Sequence, residues 1–282
     1  MKLFKKVLGI ITGFIAAVTL TGCINFSGYY DNADKYLIGT QYYDGELKTL
    51  DIDWTQGKVT LIQDKTAEHI TVREDNELPD EKKVHSYFVD GTLYVKFCKS
   101  GYIYTHVNNS DKQLFVTFPS LENLYLDITS GAAVIEEISG DKIDIEITSG
   151  NIELGSAIAN TFNVKTTSGE INLGAVYAQK FTCKLTSGKI KVDSLSTSEG
   201  TFKSTSGSIN AKVDEADKLK FDVTSGNVIL TIPEAGAKLT LKKTSGKFSS
   251  TREHTVDKNV YTFGNGSCEI SINITSGDVT IN

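Results

Sequence analysis

The chain has 282 residues, with 29 Lys plus Arg against 35 Asp plus Glu and a formal net charge of −6. Hydrophobic residues make up 39% and only three residues are proline, so there is apolar material for a folded core and none of the composition of a disordered chain. The acidic balance excludes a general nucleic-acid binder, which needs a basic surface.

The first element is "MKLFKKVLGIITGFIAAVTLTGC". Lys2, Lys5 and Lys6 precede an uncharged, mostly apolar run from Val7 to Leu20. That run falls short of the roughly 20 residues needed to cross a bilayer, and it has the length and flanks of a secretory leader. Leu20-Thr21-Gly22-Cys23 resembles the lipobox of bacterial lipoprotein signal peptides. The resemblance implies removal of residues 1–22 and acylation of Cys23, with several acyl chains holding the protein stably on the outer face of the cytoplasmic membrane. Losing the three leader lysines would take the formal charge from −6 to −9.

Residues 24–44 are polar and tyrosine-rich and read, with Cys23, as a tether followed by an N-terminal cap. From residue 45 to 120 the pattern is that of degenerate coils. "TQGKVTL" carries Gly57, Val59 and Leu61, and "VDGTLYV" carries Gly91, Leu93 and Val95 at matching places. "HITVRE" and "QLFVTFP" read as their partner strands, with loops at 73–86 and 98–112.

Regular coils follow over residues 121–243. Thr-Ser-Gly begins at residues 129, 148, 167, 186, 205, 224, 244 and 275, with five successive intervals of 19, then 20, then 31. A fixed period of this size marks a repeat architecture. Counting Thr as position one, positions five and seven are mostly apolar around a polar sixth, as in Ile152, Glu153 and Leu154. Positions fifteen and seventeen repeat the alternation, as in Phe162 and Val164. Period two is a strand with one buried face, so each coil is strand, bend, strand, bend. One such unit cannot bury its own apolar side chains, and stacking makes the core continuous. The fold class is all-β: a parallel β-solenoid of ~19-residue coils, expected to be right-handed. Gly suits the corner because it reaches positive φ without strain, and the preceding Ser is expected on the inward side, bonding the corner backbone. No histidine recurs at a spacing linked to these serines, so they are not read as nucleophiles.

Residues 244–282 hold the insertion "STREHTVDKN", then "VYTFGNGSCEISINI" with a hairpin turn expected at Gly264-Asn265-Gly266. Insertion and hairpin are expected to cover the open end of the stack. The final "TSGDVTIN" is less than half a coil.

Taken together, "DNADKY", "LDIDWTQGKVTL", "DGTLYVKF", "LFVTFPSLENLYLDITSG" and the Thr-Ser-Gly coils closing in "TSGDVTI" resemble the bacterial putative-adhesin family of β-strand repeat proteins, over about residues 29–282. The resemblance implies a β-solenoid, a cell-envelope location and, in some members, a link to envelope stress responses. It implies no catalytic residues.

The residues agree in offering no chemistry. His69, His85, His106 and His254 lie on separate segments, and Cys98, Cys183 and Cys268 lie too far apart in sequence for a metal or disulfide framework. No calcium loop is present, and no metal or cofactor is expected. A glycan-active β-helix enzyme is the remote alternative, since 19-residue coils leave little length for the loops that carry such sites. Two binding surfaces stand out. Lys165, Lys184 and Lys203 recur at the outward eighteenth position, with Lys189 and Lys191 just across the corner. They form an anion-binding strip for an anionic wall polymer, lipid headgroups or an envelope protein, or else a solvated strand face that discourages sheet pairing. Tyr102 and Tyr104 in "GYIYTH" form an aromatic recognition loop, or pack over a degenerate coil. The expected role is non-enzymatic binding or scaffolding on the cell surface, with an accessory or sensor role in envelope stress as the alternative.

Overall fold

The computed structural model describes residues 24–26, 28–75, 77–105 and 112–282. In chain order the strands are β1 (Ile24–Phe26), β2 (Leu37–Ile38), β3 (Gln41–Tyr43), β4 (Thr49–Gln63), β5 (Ile70–Glu74), β6 (His85–Val89), β7 (Thr92–Lys96), β8 (Ile103–Thr105) and β9 (Gln113–Phe118). They continue as β10 (Asn123–Ser225), β11 (Val228–Thr231), β12 (Gly236–Ser245), β13 (Phe248–Ser250), β14 (Thr255–Asp257), β15 (Val260–Gly264), β16 (Cys268–Ser276) and β17 (Val279–Ile281). The 103 residues of β10 pass through successive coils without a break, because the bends pair from coil to coil as the straight runs do.

The alternation in the sequence becomes the core. In the coil 148–166, Ile152, Leu154, Ala157, Ala159, Phe162, Val164 and Thr166 are all buried. Two strand faces and two corners thus enclose one continuous apolar column, as a parallel β-solenoid requires. Phe162, Phe181, Phe202 and Phe221 stack through it with ring centroids 5.8, 5.2 and 4.6 Å apart. The ring moves from position fifteen to seventeen at Phe202, where position fifteen is Gly200. A Cβ there would lie 2.6 Å from Leu219 Cδ2, so the two places share one ring's worth of volume.

The recurring tripeptide is explained by its glycine. Gly150 has φ +138°, and a Cβ on it would lie 1.7 Å from the carbonyl oxygen of Gly131. The corner therefore needs both positive φ and direct backbone stacking. The serine expectation is corrected. Ser149, Ser168 and Ser187 are exposed, because the bend interrupts the alternation and turns Thr and Ser outward in succession. The inward corner hydroxyls belong to position nineteen: Thr166 donates to the Ser168 carbonyl at 3.3 Å and Ser204 to that of Gly207 at 3.0 Å.

Both ends are built by intercalation, which the linear reading did not anticipate. β4 pairs in parallel with β10 on one edge and with β7 and β9 on the other. The first coil in sequence is thus second in space. Leu93 and Val95 stack on Leu50 and Ile52, while Leu114 and Val116 stack on Val59 and Leu61. "VDGTLYV" and "QLFVTFP" therefore exchange the places expected of them, because the outer coil begins on the other face. "HITVRE" is antiparallel to β9 and belongs to the cap.

At the far end β16 lies between β10 and β12, and β17 between β11 and β13. The closing "TSGDVTIN" is an interior layer, not the terminal one. β15 then runs antiparallel along β12, and β14 pairs with β15. The hairpin is β14–β15, turning at Lys258 with φ +55°. Gly264-Asn265-Gly266 instead carries the chain from one edge of β12 to the other. His254 closes this end, its ring 5.0 Å from Phe263 and 5.6 Å from Tyr261. Both caps end the stack by switching to antiparallel pairing, which short turns can close where another parallel layer would need a full crossover.

Beneath the first cap, Trp54 and Phe97 meet edge to face at 4.8 Å. Lys112 lies against both rings, its Nζ 2.9 Å from Glu74 Oε1, with Lys112 and Glu74 side chains 1% and 2% exposed. Nζ also donates to the Lys82 carbonyl at 2.5 Å and to that of Phe97, and Glu74 Oε2 accepts from the Val84 amide at 2.8 Å. Burial pushes the Glu74 carboxyl up and the Lys112 ammonium down, and their mutual attraction opposes both shifts.

Candidate binding face

The strand of positions fourteen to eighteen presents one flat, outward face. Along it the eighteenth position runs, in spatial order, Lys96, Asp53, Asp127, Glu146, Lys165, Lys184, Lys203, Asp222, Asn273 and Lys242. The three predicted lysines are therefore stacked neighbours, about 4.8 Å per step. The 19-residue period itself places Glu146 and Asp222 in this row, and the β4–β10 pairing extends it past Asp127 to Asp53 and Lys96.

The acidic half surrounds a groove of about 670 Å³ lined by Asp51, Asp53, Tyr125, Asp127, Asp144, Glu146, Asn163, Lys165, Thr182 and Lys184. Partial burial, then the charges of Asp53 and Glu146, raise the Asp127 carboxyl. Lys96 sits 3.4 Å from Asp51 and 3.8 Å from Asp53, and Lys142 sits 2.9 Å from Asp144 and 4.9 Å from the Tyr125 ring centroid. Lys165 donates to Glu146. Among the described residues Lys184 and Lys203 have no ion-pair partner. Lys165 is thus a joint between two halves of opposite sign, and the free basic charge begins at Lys184.

Lys189 and Lys191 do not join this row. They stand at positions four and six, on the strand beyond the Thr-Ser-Gly corner, where Glu170 lies 3.7 Å from Lys189 and Asp193 lies 2.9 Å from Lys191. Tyr102 is half-buried and packs against the core. Tyr104 lies in β8 opposite Asn25. Cys23, the leader and His106 lie outside the described residues.

Of the histidines, His69 contacts exposed Asp44 at 2.6 Å, and buried His85 has Nδ1 3.0 Å from the Lys83 carbonyl. Cys98, Cys183 and Cys268 are buried free thiols, and burial alone pushes the Cys183 thiol far up. No group of three or more metal-ligating side chains is found among the described residues. No helix among them is long and apolar enough to cross a membrane.

Residues 47–282 match the model of the family described as Toastrack DUF4097. The chain belongs to this family. A solved structure similar to this Toastrack chain is that of a putative adhesin from Bacteroides fragilis NCTC 9343, at 15% identity and TM-score 0.52, covering 87% of this chain and 97% of that one. Others are a putative adhesin and a putative lipid binding protein from Parabacteroides distasonis ATCC 8503, at 15% and 14% identity and TM-score 0.49 each. They cover 87% and 86% of this chain and 97% of theirs. The first likeness shows the fold. No curated protein matches.

Proposed function

We propose that this Toastrack protein is a non-enzymatic surface-binding module of the bacterial envelope. In this reading residues 1–22 are a cleaved leader, Cys23 carries the lipid anchor, residues 24–44 form tether and cap, and the solenoid beyond recognises an anionic envelope polymer or lipid headgroup. The observation that carries it is the unpaired pair Lys184 and Lys203 on a flat strand face, with Thr182 and Thr201 in the column beside them. Such a face offers cations at a fixed spacing on a rigid lattice, where a repeating polyanion gains several contacts at once. Lys220, on the next coil, is held 2.9 Å from Asp222 and closes the basic stretch. The name given to the Bacteroides fragilis structure, a putative adhesin, accords with a binding role.

The test is co-sedimentation of the protein with purified wall polymer and with anionic vesicles at two salt concentrations, beside a Lys165→Glu, Lys184→Glu, Lys203→Glu variant. Salt-sensitive binding lost in the variant is the expected result. Binding that the variant retains would place recognition elsewhere.

A further inference from the structure

The corner opposite the Thr-Ser-Gly edge carries a second surface of different chemistry. Tyr177, Ser196 and Glu215 occupy the eleventh position of three successive coils. The Tyr177 side is a raised apolar step, 50% exposed, and it is continued one coil earlier by Ile158 at 57%. Small Ser196 then leaves a depression, and the carboxylates of Glu215 and Asp217 rise beyond it. The resulting groove has a volume of about 360 Å³, with Ser196, Thr197 and Ser198 as its floor. Thr197 fixes that floor, since its buried hydroxyl is engaged with the Gln179 and Glu199 carbonyls at 3.3 and 3.1 Å. Among the described residues Glu215 and Asp217 have no ion-pair partner.

Two coil steps separate the tyrosine from Glu215, about 10 Å at the inter-strand spacing. A gap of that width admits one sugar ring between an aromatic platform and a carboxylate wall. The C–H face of a pyranose packs on the negative face of an aromatic ring, while its hydroxyls donate charge-assisted hydrogen bonds to carboxylates. The two acids repel phosphorylated, sulfated or uronic sugars. We propose that this groove is a subsite for an uncharged saccharide unit, with Tyr177 as platform and Glu215 and Asp217 as hydrogen-bond acceptors. It is separate from the lysine face and independent of it.

Saturation-transfer NMR on the full-length protein in a non-glycosidic detergent tests this, with cellobiose and N,N′-diacetylchitobiose as probes and glucuronic acid as the charged control. Transfer to the ring protons of at least one disaccharide is expected, and none to glucuronic acid. Tyr177→Ala should weaken binding about tenfold, Tyr177→Phe should preserve it, and the double variant Glu215→Gln, Asp217→Asn should weaken it. Lys184→Glu should leave it unchanged, which separates this site from the anionic one. All these positions are on the surface, and unchanged circular dichroism checks the fold. Absence of transfer to both disaccharides at millimolar concentration, equal transfer in Tyr177→Ala, or equal binding of glucuronic acid would overturn the assignment.

Discussion

Gly277 stands directly on Gly226: a Cβ on Gly277 would lie 1.9 Å from the Gly226 carbonyl oxygen, and Asp278 donates its amide to the Asn227 side chain at 2.9 Å. The end of the chain thus fills an interior layer, and the outer layer of β12 and β13 rests on it. Gly277→Val puts a branched side chain at φ +133° against backbone that cannot move aside. It should destabilise the C-terminal layers by more than about 2 kcal/mol. Because solenoid layers couple mainly to their neighbours, hydrogen exchange in the variant should rise across residues 226–282 and stay slow in the coils 129–205. Uniform loss of protection would show that the end layers are not a separable unit.

Two serines test the corrected account of the corner. Ser187 belongs to a Thr-Ser-Gly tripeptide and is exposed, whereas Ser204, 4% exposed, donates its hydroxyl inward to Gly207. Ser187→Ala should change stability by less than about 0.5 kcal/mol, and Ser204→Ala should cost about 1 kcal/mol. Urea titration of the two variants gives the comparison, and equal effects would refute the assignment of the inward hydroxyl.

The regular coils were legible because their information is local: Ile152 and Leu154, or Phe162 and Val164, announce their burial by period two within a few residues. The solenoid class and the stacking of Lys165, Lys184 and Lys203 follow from that period alone. The ends were not legible, since nothing near Gly277 or Val59 records which coil will lie beside it. Placing β16 between β10 and β12 is a long-range pairing choice, and two neighbouring coils can offer equally apolar strands. The same gap hid the far part of the acid half of the binding face: Glu146 stands one 19-residue period before Lys165, whereas Asp53 joins Asp127 only through β4–β10. Lys112 was invisible for a different reason. Its burial depends on Glu74, Trp54 and two carbonyls gathered from separate segments.

That lysine gives a third prediction. Lys112→Met leaves the Glu74 carboxylate buried with, among the described residues, only the Val84 amide to meet it, and should cost about 3–5 kcal/mol. Replacing both, Lys112→Met with Glu74→Met, should cost less than the single change, since an apolar pair avoids the stranded charge. A double-mutant cycle by chemical denaturation measures the difference. A double variant less stable than Lys112→Met would mean that the Val84 contact, not the ion pair, holds the cap.

His85 makes the same cap sensitive to acid. Burial, with smaller contributions from the nearby charges of Lys112 and Lys99, lowers its pKa below the ordinary 6.5. A depressed folded pKa means that the unfolded chain takes up the proton first as pH falls. Stability from this group is therefore full above about 6.5 and is lost as pH drops through the folded value. Glu74 and Asp127, both raised, act in the opposite direction, so the comparison must be with a variant. His85→Gln should flatten the fall in melting temperature between about pH 7 and pH 5. An identical slope in both proteins would show that His85 titrates normally.

Glu146 sets how much of the lysine row is available. It accepts from Lys165 with both side chains about half exposed (49% and 48%), so the pair is weak in energy yet sufficient to direct the ammonium toward the acidic groove. Glu146→Gln removes the partner and moves the start of the basic stretch back one coil. Affinity for an anionic polymer should rise about two- to fivefold at low salt, the scale of an exposed ion pair, and the gain should disappear at high salt. Lys165→Ala should weaken binding less than Lys184→Ala, because Lys165 is already half neutralised. Equal losses from the two alanine variants would show that the polyanion displaces Glu146 on binding. A larger loss at Lys165 would place the recognition centre at the groove and not on the basic stretch.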